Sequence, residues 1–153
     1  MNFKPNFEVK EDSKKPKYES VTSYMVNVHD LITFKPTQNI YDAIDTIIEK
    51  RISGAPVLDD NGKLVGMLSE KDCLRIIVDQ AYHNLPIESK TVADYMTPNV
   101  KTVSADSDVV SAADLFLHSA IRRMPVVENG VLKGQISRRD ILRAAKNFKP
   151  TTW

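Results

Sequence analysis

Apolar residues recur along this chain in two different periods, and the same succession of patterns occurs twice. In each half, one segment has apolar residues at every third or fourth position, which is the spacing of an amphipathic helix. These residues are Ile40, Ala43, Ile44, Ile47 and Ile48 in the first half and Val109, Ala112, Ala113, Phe116 and Leu117 in the second. Thr37 and Asp106 precede the two segments and are expected to be the N-caps of the helices, because their side chains accept hydrogen bonds from free N–H groups.

Short apolar runs on either side of these helices predict β-strands. Asn61-Gly62 and Asn129-Gly130 predict tight hairpin turns, since both residue types accept positive φ. A short helical turn is expected at the start of each unit, at 23–25 and 94–96. The strands are expected at 31–34, 55–58 and 63–68 in the first half and at 100–103, 124–127 and 131–136 in the second. A last helix carries Leu74, Ile77, Val78 and Ala81 in the first half and Ile141, Leu142 and Ala145 in the second.

The two halves are therefore a tandem repeat, in which each unit reads strand–helix–strand–strand–helix. This order predicts a mixed α/β (α+β) fold. A sheet with one uncovered face needs a partner, so the two repeats are expected to pack on one another as a single pseudo-two-fold module. The expected boundaries are a flexible tail at 1–20, the first repeat at 21–83, a linker at 84–93, the second repeat at 94–146 and a C-terminal tail at 147–153.

Composition narrows the class of protein without naming a function. The chain has 153 residues, 42% hydrophobic and 27% charged, with a formal net charge of +1, which is typical of a globular protein and gives no reason to expect nucleic-acid or membrane binding. The sequence has no apolar run of the length that spans a membrane and no apolar secretory signal at its start. The single Cys73 fits a reducing compartment, so we expect a cytoplasmic protein.

The motif that could bind a ligand is Gly-x-x-Ser-x-x-Asp, which lies at the junction of the last strand and last helix of each repeat. The Ser and Asp are Ser69 and Asp72 in the first copy and Ser137 and Asp140 in the second. A carboxylate at this position can accept two hydrogen bonds from a vicinal diol such as a ribose. Ser-x-x-Asp is also a capping box, which serves stability alone. Two copies in matched surroundings favour binding, and the two roles are compatible.

These motifs resemble CBS (cystathionine β-synthase) domains, and the pair resembles a Bateman module over about residues 22–146. The stretch from Arg51 to Val57, Arg-Ile-Ser-Gly-Ala-Pro-Val, is especially similar to the CBS repeats in the gamma subunit of AMP-activated kinase. The resemblance implies a cleft in each repeat for an adenosyl ligand: AMP, ADP, ATP, S-adenosylmethionine or a dinucleotide. It implies no catalytic cofactor. It also implies a homodimer formed through the helices.

The resemblance also implies which residues hold the ligand. Asp72 and Asp140 would hold ribose hydroxyls, with Ser69 and Ser137 beside the ribose or phosphate. The adenine would lie against Thr33, Ala55 and Pro56 in the first repeat and Thr102, Met124 and Pro125 in the second. Residues just before these would reach phosphates, namely Ser53 and Gly54 in the first repeat and Arg122 and Arg123 in the second.

Arginines distinguish the two repeats. The second carries Arg138 and Arg139 inside its motif in addition to Arg122 and Arg123, whereas the first carries Glu70 at the position of Arg138. Four guanidinium groups around one cleft would favour a phosphorylated ligand through paired hydrogen bonds. The alternative is that some of them form ordinary surface or dimer ion pairs.

The sequence therefore favours a regulatory module that senses an adenosyl ligand and signals to a separate protein partner. No set of nucleophile, base and orienting group is visible, so catalysis is not expected. His29, His83 and His118 are far apart and predict no metal site. One alternative is a ligand-free dimeric interaction scaffold. A second, nucleic-acid binding through the arginines, is weaker because the charge is nearly balanced.

Overall fold

The chain forms two small β-sheets with helices packed against them. The computed structural model describes residues 18–83 and 90–148, so most of the expected tail at 1–20, most of the expected linker and Trp153 lie outside the described residues. The helices are α1 (Ile40–Lys50), α2 (Glu70–Val78), α3 (Val92–Tyr95), α4 (Val109–Leu117) and α5 (Arg138–Ala145). The strands are β1 (Val26–Asn27), β2 (Gly54–Leu58), β3 (Leu64–Ser69), β4 (Val103–Ser104), β5 (Arg123–Glu128) and β6 (Val131–Ser137). Short 3-10 turns at Val21–Ser23 and Val28–Asp30 and a π-helical turn at Asp79–His83 complete the order.

Strand pairing confirms the α/β architecture, and it is nearly the same in both repeats. One sheet has the order β1-β6-β5-β4, with β5 antiparallel to β6 and parallel to β4. In the first repeat β2 pairs antiparallel with β3. Single bridges take the place of the two outer strands: Phe34–Val57 corresponds to the pairing of β4 with β5, and Met67–Thr97 to the pairing of β1 with β6. The strands expected at 31–34 and 100–103 are thus shorter than predicted, because only their last residues reach the neighbouring strand.

The opening segment of each repeat packs into the other repeat. Val21, which is fully buried, belongs to the core of the second repeat, together with Met124 and Ile136. Val92, also fully buried, belongs to the core of the first repeat with Leu68. Neither hydrophobic core is therefore complete in one repeat, and the two repeats fold as one module.

Glycines at matched positions allow this exchange of segments. A Cβ on Gly66 would lie 2.8 Å from the Met96 Sδ, and a Cβ on Gly134 would lie 2.6 Å from the Met25 Sδ and against the Val26 carbonyl oxygen. The glycines of both sequence motifs therefore admit the opening segment of the opposite repeat, because a residue without a Cβ allows another segment to approach closely.

Both predicted helix N-caps are wrong by two residues. The N-cap of α1 is Asn39, whose side chain accepts from the Tyr41 and Asp42 N–H groups, rather than Thr37. The N-cap of α4 is Asp108, which accepts from the Ser111 N–H at 2.8 Å, rather than Asp106. The cause is a closed turn ahead of each helix, at 35–38 and 104–107, which delays the first helical residue.

The two hairpin turns also differ more than predicted. Asn129 and Gly130 both have positive φ, as a two-residue turn requires. In the longer first turn only Gly62 does, and the Asp59 carboxylate holds the turn by accepting from the Asn61 and Lys63 N–H groups.

Several apolar residues of the predicted helices face outwards. Ile48 and Leu117, assigned to the amphipathic faces of α1 and α4, are 67% and 83% exposed. On the last helix of each repeat, Ile76 and Ala144 are buried. The predicted apolar face of these helices is instead exposed at Leu74, Ile77, Val78 and Leu142.

Candidate functional site

Both Ser-x-x-Asp motifs form complete capping boxes. The Ser69 hydroxyl accepts from the Asp72 N–H and the Asp72 Oδ2 accepts from the Ser69 N–H at 2.9 Å. The same reciprocal pair joins Ser137 and Asp140, with the Asp140 Oδ2 accepting at 2.8 Å. The capping interpretation is therefore correct for both copies. The capping hydrogen bond uses Oδ2 of each carboxylate. Whether the carboxylate can also bind a ligand therefore depends on the partners of Oδ1.

The second oxygens of the two carboxylates have different partners. Asp72 accepts three hydrogen bonds, because the Ser69 and Thr97 hydroxyls both donate to it, the latter to Oδ1 at 3.0 Å. Asp140 accepts one from the Ser137 N–H, and its Oδ1 forms an ion pair with Arg143 at 2.7 Å. A carboxylate has about four acceptor positions. Asp140 thus has about two left, the number that a ribose diol needs, and Asp72 has about one.

Asp140 opens into a cavity of about 290 Å³ that is built from both repeats. The first repeat supplies mostly apolar walls together with the carboxylate of Asp30, and the second supplies polar side chains, namely Arg123, Gln135, Ser137 and Asp140. The residues from the first repeat are Val26, Asp30, Leu31, Ile32, Ile52, Gly54 and Pro56. The sequence interpretation places each set of candidate residues in its own repeat, whereas this cavity joins Gly54 and Pro56 of the first repeat to Ser137 and Asp140 of the second.

A larger cavity of about 970 Å³ adjoins the first, since Gly54, Arg123, Gln135 and Ser137 line both. The four arginines singled out in the sequence all line this larger cavity: Arg122, Arg123, Arg138 and Arg139. Ser53 and Ser69 of the first repeat also line it, whereas Asp72 does not. The structure thus brings the predicted cationic cluster together in one concave surface between the repeats.

The side chains of these arginines are used to different extents. Arg138 donates to the Ile121 and Ser119 carbonyl oxygens, and Arg123 donates weakly to the Ser53 hydroxyl at 3.5 Å. Within residues 18–83 and 90–148, the guanidinium groups of Arg122 and Arg139 make no hydrogen bond or ion pair. The alternative of ordinary surface ion pairs therefore has no support in this part of the chain.

Several predicted site residues lie away from both cavities. Ala55, Met124 and Pro125 are buried in the sheets, and Thr33 is half-buried. Thr102 lines a separate cavity of about 250 Å³ beside Gly66. Sequence reasoning missed Ile32, Ile52 and Gln135, because their apolar or neutral side chains carry no chemical signal, and only the crossing of the repeats reveals their position.

Other reactive groups give no further site. Burial, with a smaller contribution from the negative charge of Asp72, raises the pKa of the Cys73 thiol to about 11, so the thiol is protonated and unreactive near neutral pH. Among the described residues no cluster of His, Cys, Asp and Glu could hold a metal ion. No helix in the described ranges is long and apolar enough to cross a membrane.

Comparison with known families gives two matches along the chain. The family model of the CBS domain matches residues 21–79 and again residues 92–147. Two chloroplastic CBS domain-containing proteins of Arabidopsis thaliana, CBSX1 and CBSX2, are 31% and 32% identical over 85% and 87% of this chain. The chain spans only 65% and 66% of the length of these relatives.

Solved structures share the arrangement. A crystal structure of CBSX2 in complex with AMP has a TM-score of 0.73 and 34% identity, and covers 85% of this chain and 97% of its own. Protein MJ1225 of Methanocaldococcus jannaschii, described as a putative archaeal homolog of g-AMPK, has a TM-score of 0.74 and 25% identity over 84% of this chain and 50% of its own. The complex of CbpB with c-di-AMP, at 18% identity and a TM-score of 0.72, shows likeness of fold alone.

Proposed function

Because the chain belongs to the CBS-domain family and is built as a pair of such domains, we propose that it is a regulatory module that binds an adenosyl ligand in the Asp140 cavity. One observation carries this proposal. A buried carboxylate with two unused acceptor positions lies in a cavity that also has an apolar wall of Val26, Leu31, Ile32, Ile52 and Pro56. Ribose hydroxyls fit the first feature, and a purine fits the second.

The positions in the cavity match the parts of an adenosine nucleotide. Asp140 accepts from the ribose diol, and the base packs between Ile32, Ile52 and Pro56. Arg123 lies at the mouth, where the cavity joins the larger one, and meets the first phosphate. The crystal structure of CBSX2 with AMP supports an adenyl nucleotide as the ligand class. AMP, ADP, ATP and S-adenosylmethionine all contain the adenosine that this cavity would bind.

The proposed role of the ligand is to change the packing of the repeats, or of two copies, and so to alter contact with a separate protein target. A ligand produces such a change only through its differential affinity for the two states. We propose no catalytic role for the chain, and the cytoplasmic location expected from the sequence remains a prediction.

Thermal melting against a ligand panel tests the proposal. The panel contains adenosine, AMP, ADP, ATP, S-adenosylmethionine and GMP. A ligand at a hundred times its Kd stabilises the folded state by about 2.7 kcal/mol, which for a chain of this size raises the Tm by roughly 5–10 °C. The expected result is a rise with adenine compounds that GMP does not produce. No rise with any adenine compound at millimolar concentration would reject the proposal and favour a ligand-free interaction scaffold.

We also propose that two copies associate through the exposed apolar faces of α2 and α5. Leu74 and Ile77 on α2 and Leu142 on α5 are 59%, 64% and 69% exposed, and exposed apolar surface of this kind is typical of interaction sites. A self-complementary dimer would cover them. Light scattering should give the mass of a dimer for the wild type and of a monomer for the Leu74→Asp, Leu142→Asp variant, whereas a monomeric wild type would contradict this part of the proposal.

A further inference from the structure

Accepting the adenosyl site above, we propose that the ligand carries a polyphosphate chain, with its nucleoside in the Asp140 cavity and its terminal phosphates in the arginine-lined cavity between the repeats. The preferred ligand class is therefore a nucleoside triphosphate. Adenosine, the monophosphate and the cationic S-adenosylmethionine would all leave most of the second cavity unused.

The sizes and connection of the two cavities carry the first step. The Asp140 cavity, at about 290 Å³, lies at the lower end of the range of small-molecule sites. The adjoining cavity is about 970 Å³ and shares Gly54, Arg123, Gln135 and Ser137 with it. A nucleoside in the smaller space therefore directs its 5′ end past Arg123 into a larger space that a single phosphate would not fill.

The charge of the larger cavity carries the second step. Four guanidinium groups line it, and none of its lining residues is acidic. Guanidinium groups bind phosphate oxygens through paired hydrogen bonds. Each further phosphate adds negative charge where this cluster lies, whereas the sulfonium of S-adenosylmethionine adds a positive charge.

The state of individual arginines carries the third step. Arg138 is held by two backbone carbonyl oxygens, so it contributes charge from a fixed position. In the part of the chain that the structure describes, the Arg122 and Arg139 side chains have no polar partner. They are therefore free to bind the second and third phosphates, which a monophosphate lacks.

Matched substitutions separate the arginine cluster from the nucleoside site. Arg122→Ala and Arg139→Ala remove the two unpartnered guanidinium groups. Lys71→Ala is the control, because Lys71 is exposed, occupies the position of Arg139 in the first repeat and does not line the cavity. All three variants remove one positive charge, so a general loss of electrostatic attraction would affect them equally.

The experiment is isothermal titration of the full chain with adenosine, AMP, ADP and ATP at fixed ionic strength, without divalent cations. Charge-assisted hydrogen bonds predict that ATP binds at least about tenfold more tightly than AMP. The Arg122→Ala and Arg139→Ala single variants should each reduce this preference, and the double variant should abolish it, while all three keep their affinity for adenosine. Lys71→Ala, which removes the same charge as each single variant, should keep both the preference and the affinity. ATP binding no tighter than AMP, or an ATP preference that survives the double substitution, overturns the inference and leaves the adenosyl site standing. Absence of binding by all four compounds would overturn the adenosyl site itself.

Discussion

Replacing the aspartate of each motif by asparagine should affect ligand binding to very different extents, although the two motifs look alike in sequence. Asp140→Asn should weaken adenosine binding strongly, and Asp72→Asn should leave it almost unchanged. The reason is the acceptor count: Asp72 already accepts from the Ser69 N–H, the Ser69 hydroxyl and the Thr97 hydroxyl, whereas Asp140 retains about two positions for a diol.

The size of the expected effect follows from the hydrogen bonds lost. A hydrogen bond to a charged group contributes about 1.5–3 kcal/mol and one between neutral groups about 0.5–1.5 kcal/mol. Neutralising the Asp140 carboxylate therefore costs about 1 kcal/mol for each of two ribose hydroxyls, or about 2 kcal/mol in total, which weakens binding by roughly 30-fold. Asp72→Asn changes no ligand contact and should alter the Kd by less than about threefold.

Calorimetric titration with adenosine measures both variants without any contribution from phosphate. Arg143→Ala is the stability control, because it removes the 2.7 Å ion pair to Asp140 and leaves the carboxylate in place. This control should bind adenosine at least as tightly as the wild type, since one more acceptor position becomes available. Equal weakening by Asp72→Asn and Asp140→Asn would refute the acceptor argument, and so would loss of binding in the Arg143→Ala control.

Two further predictions concern the folded module. Gly134→Ala should lower the free energy of unfolding by about 1–3 kcal/mol in urea denaturation, because a Cβ there displaces Met25 and β1 from the sheet; an unchanged midpoint would contradict the close approach. Because the Cys73 pKa is raised from 9.0 to about 11 in the folded chain, the unfolded state releases this proton first, and stability should fall as pH rises from about 9 to 11. In thermal melts across this range, Cys73→Ala should no longer show the fall in stability that is due to Cys73. The pKa of Tyr95 is also raised, by burial and by Asp79, but its contribution to the fall begins only above its ordinary pKa of 10.

Local patterns in the sequence were sufficient for the fold class but not for the composition of the site. The periodicity of α1 and α4, the Asn-Gly turns and the repeated Ser-x-x-Asp are all local features, and the structure contains each of them. The exchange of opening segments is not local. Val21 lies in the expected first repeat and Val92 in the expected linker, and no local pattern indicates that they complete the cores of the second and the first repeat, respectively.

The same limit applies to the candidate site. The sequence predicts that Gly54 and Pro56 belong to the site of their own repeat, and in the structure they line the cavity of Asp140. Thr97 aligns with Val26, and the sequence gives no reason to treat this difference as important. In the structure the hydroxyl of Thr97 donates to the Oδ1 of Asp72, whereas the apolar Val26 has no group to donate to the Oδ1 of Asp140, which pairs with Arg143.

The exchanged architecture also suggests why a small ligand could regulate this module. A nucleotide in the proposed site would contact Ile52 and Pro56 from the first repeat and Ser137 and Asp140 from the second, and its phosphates would lie between both. Its binding free energy would therefore depend on how closely the repeats approach one another. A state in which they separate would lose contacts to one half of the ligand, so the ligand would favour the closed arrangement in proportion to that loss. The helices α2 and α5 begin at the two capping boxes and carry Leu74 and Leu142 on their exposed faces. A change in the relative position of these helices would therefore alter the apolar surface that is offered to a second copy or to another protein.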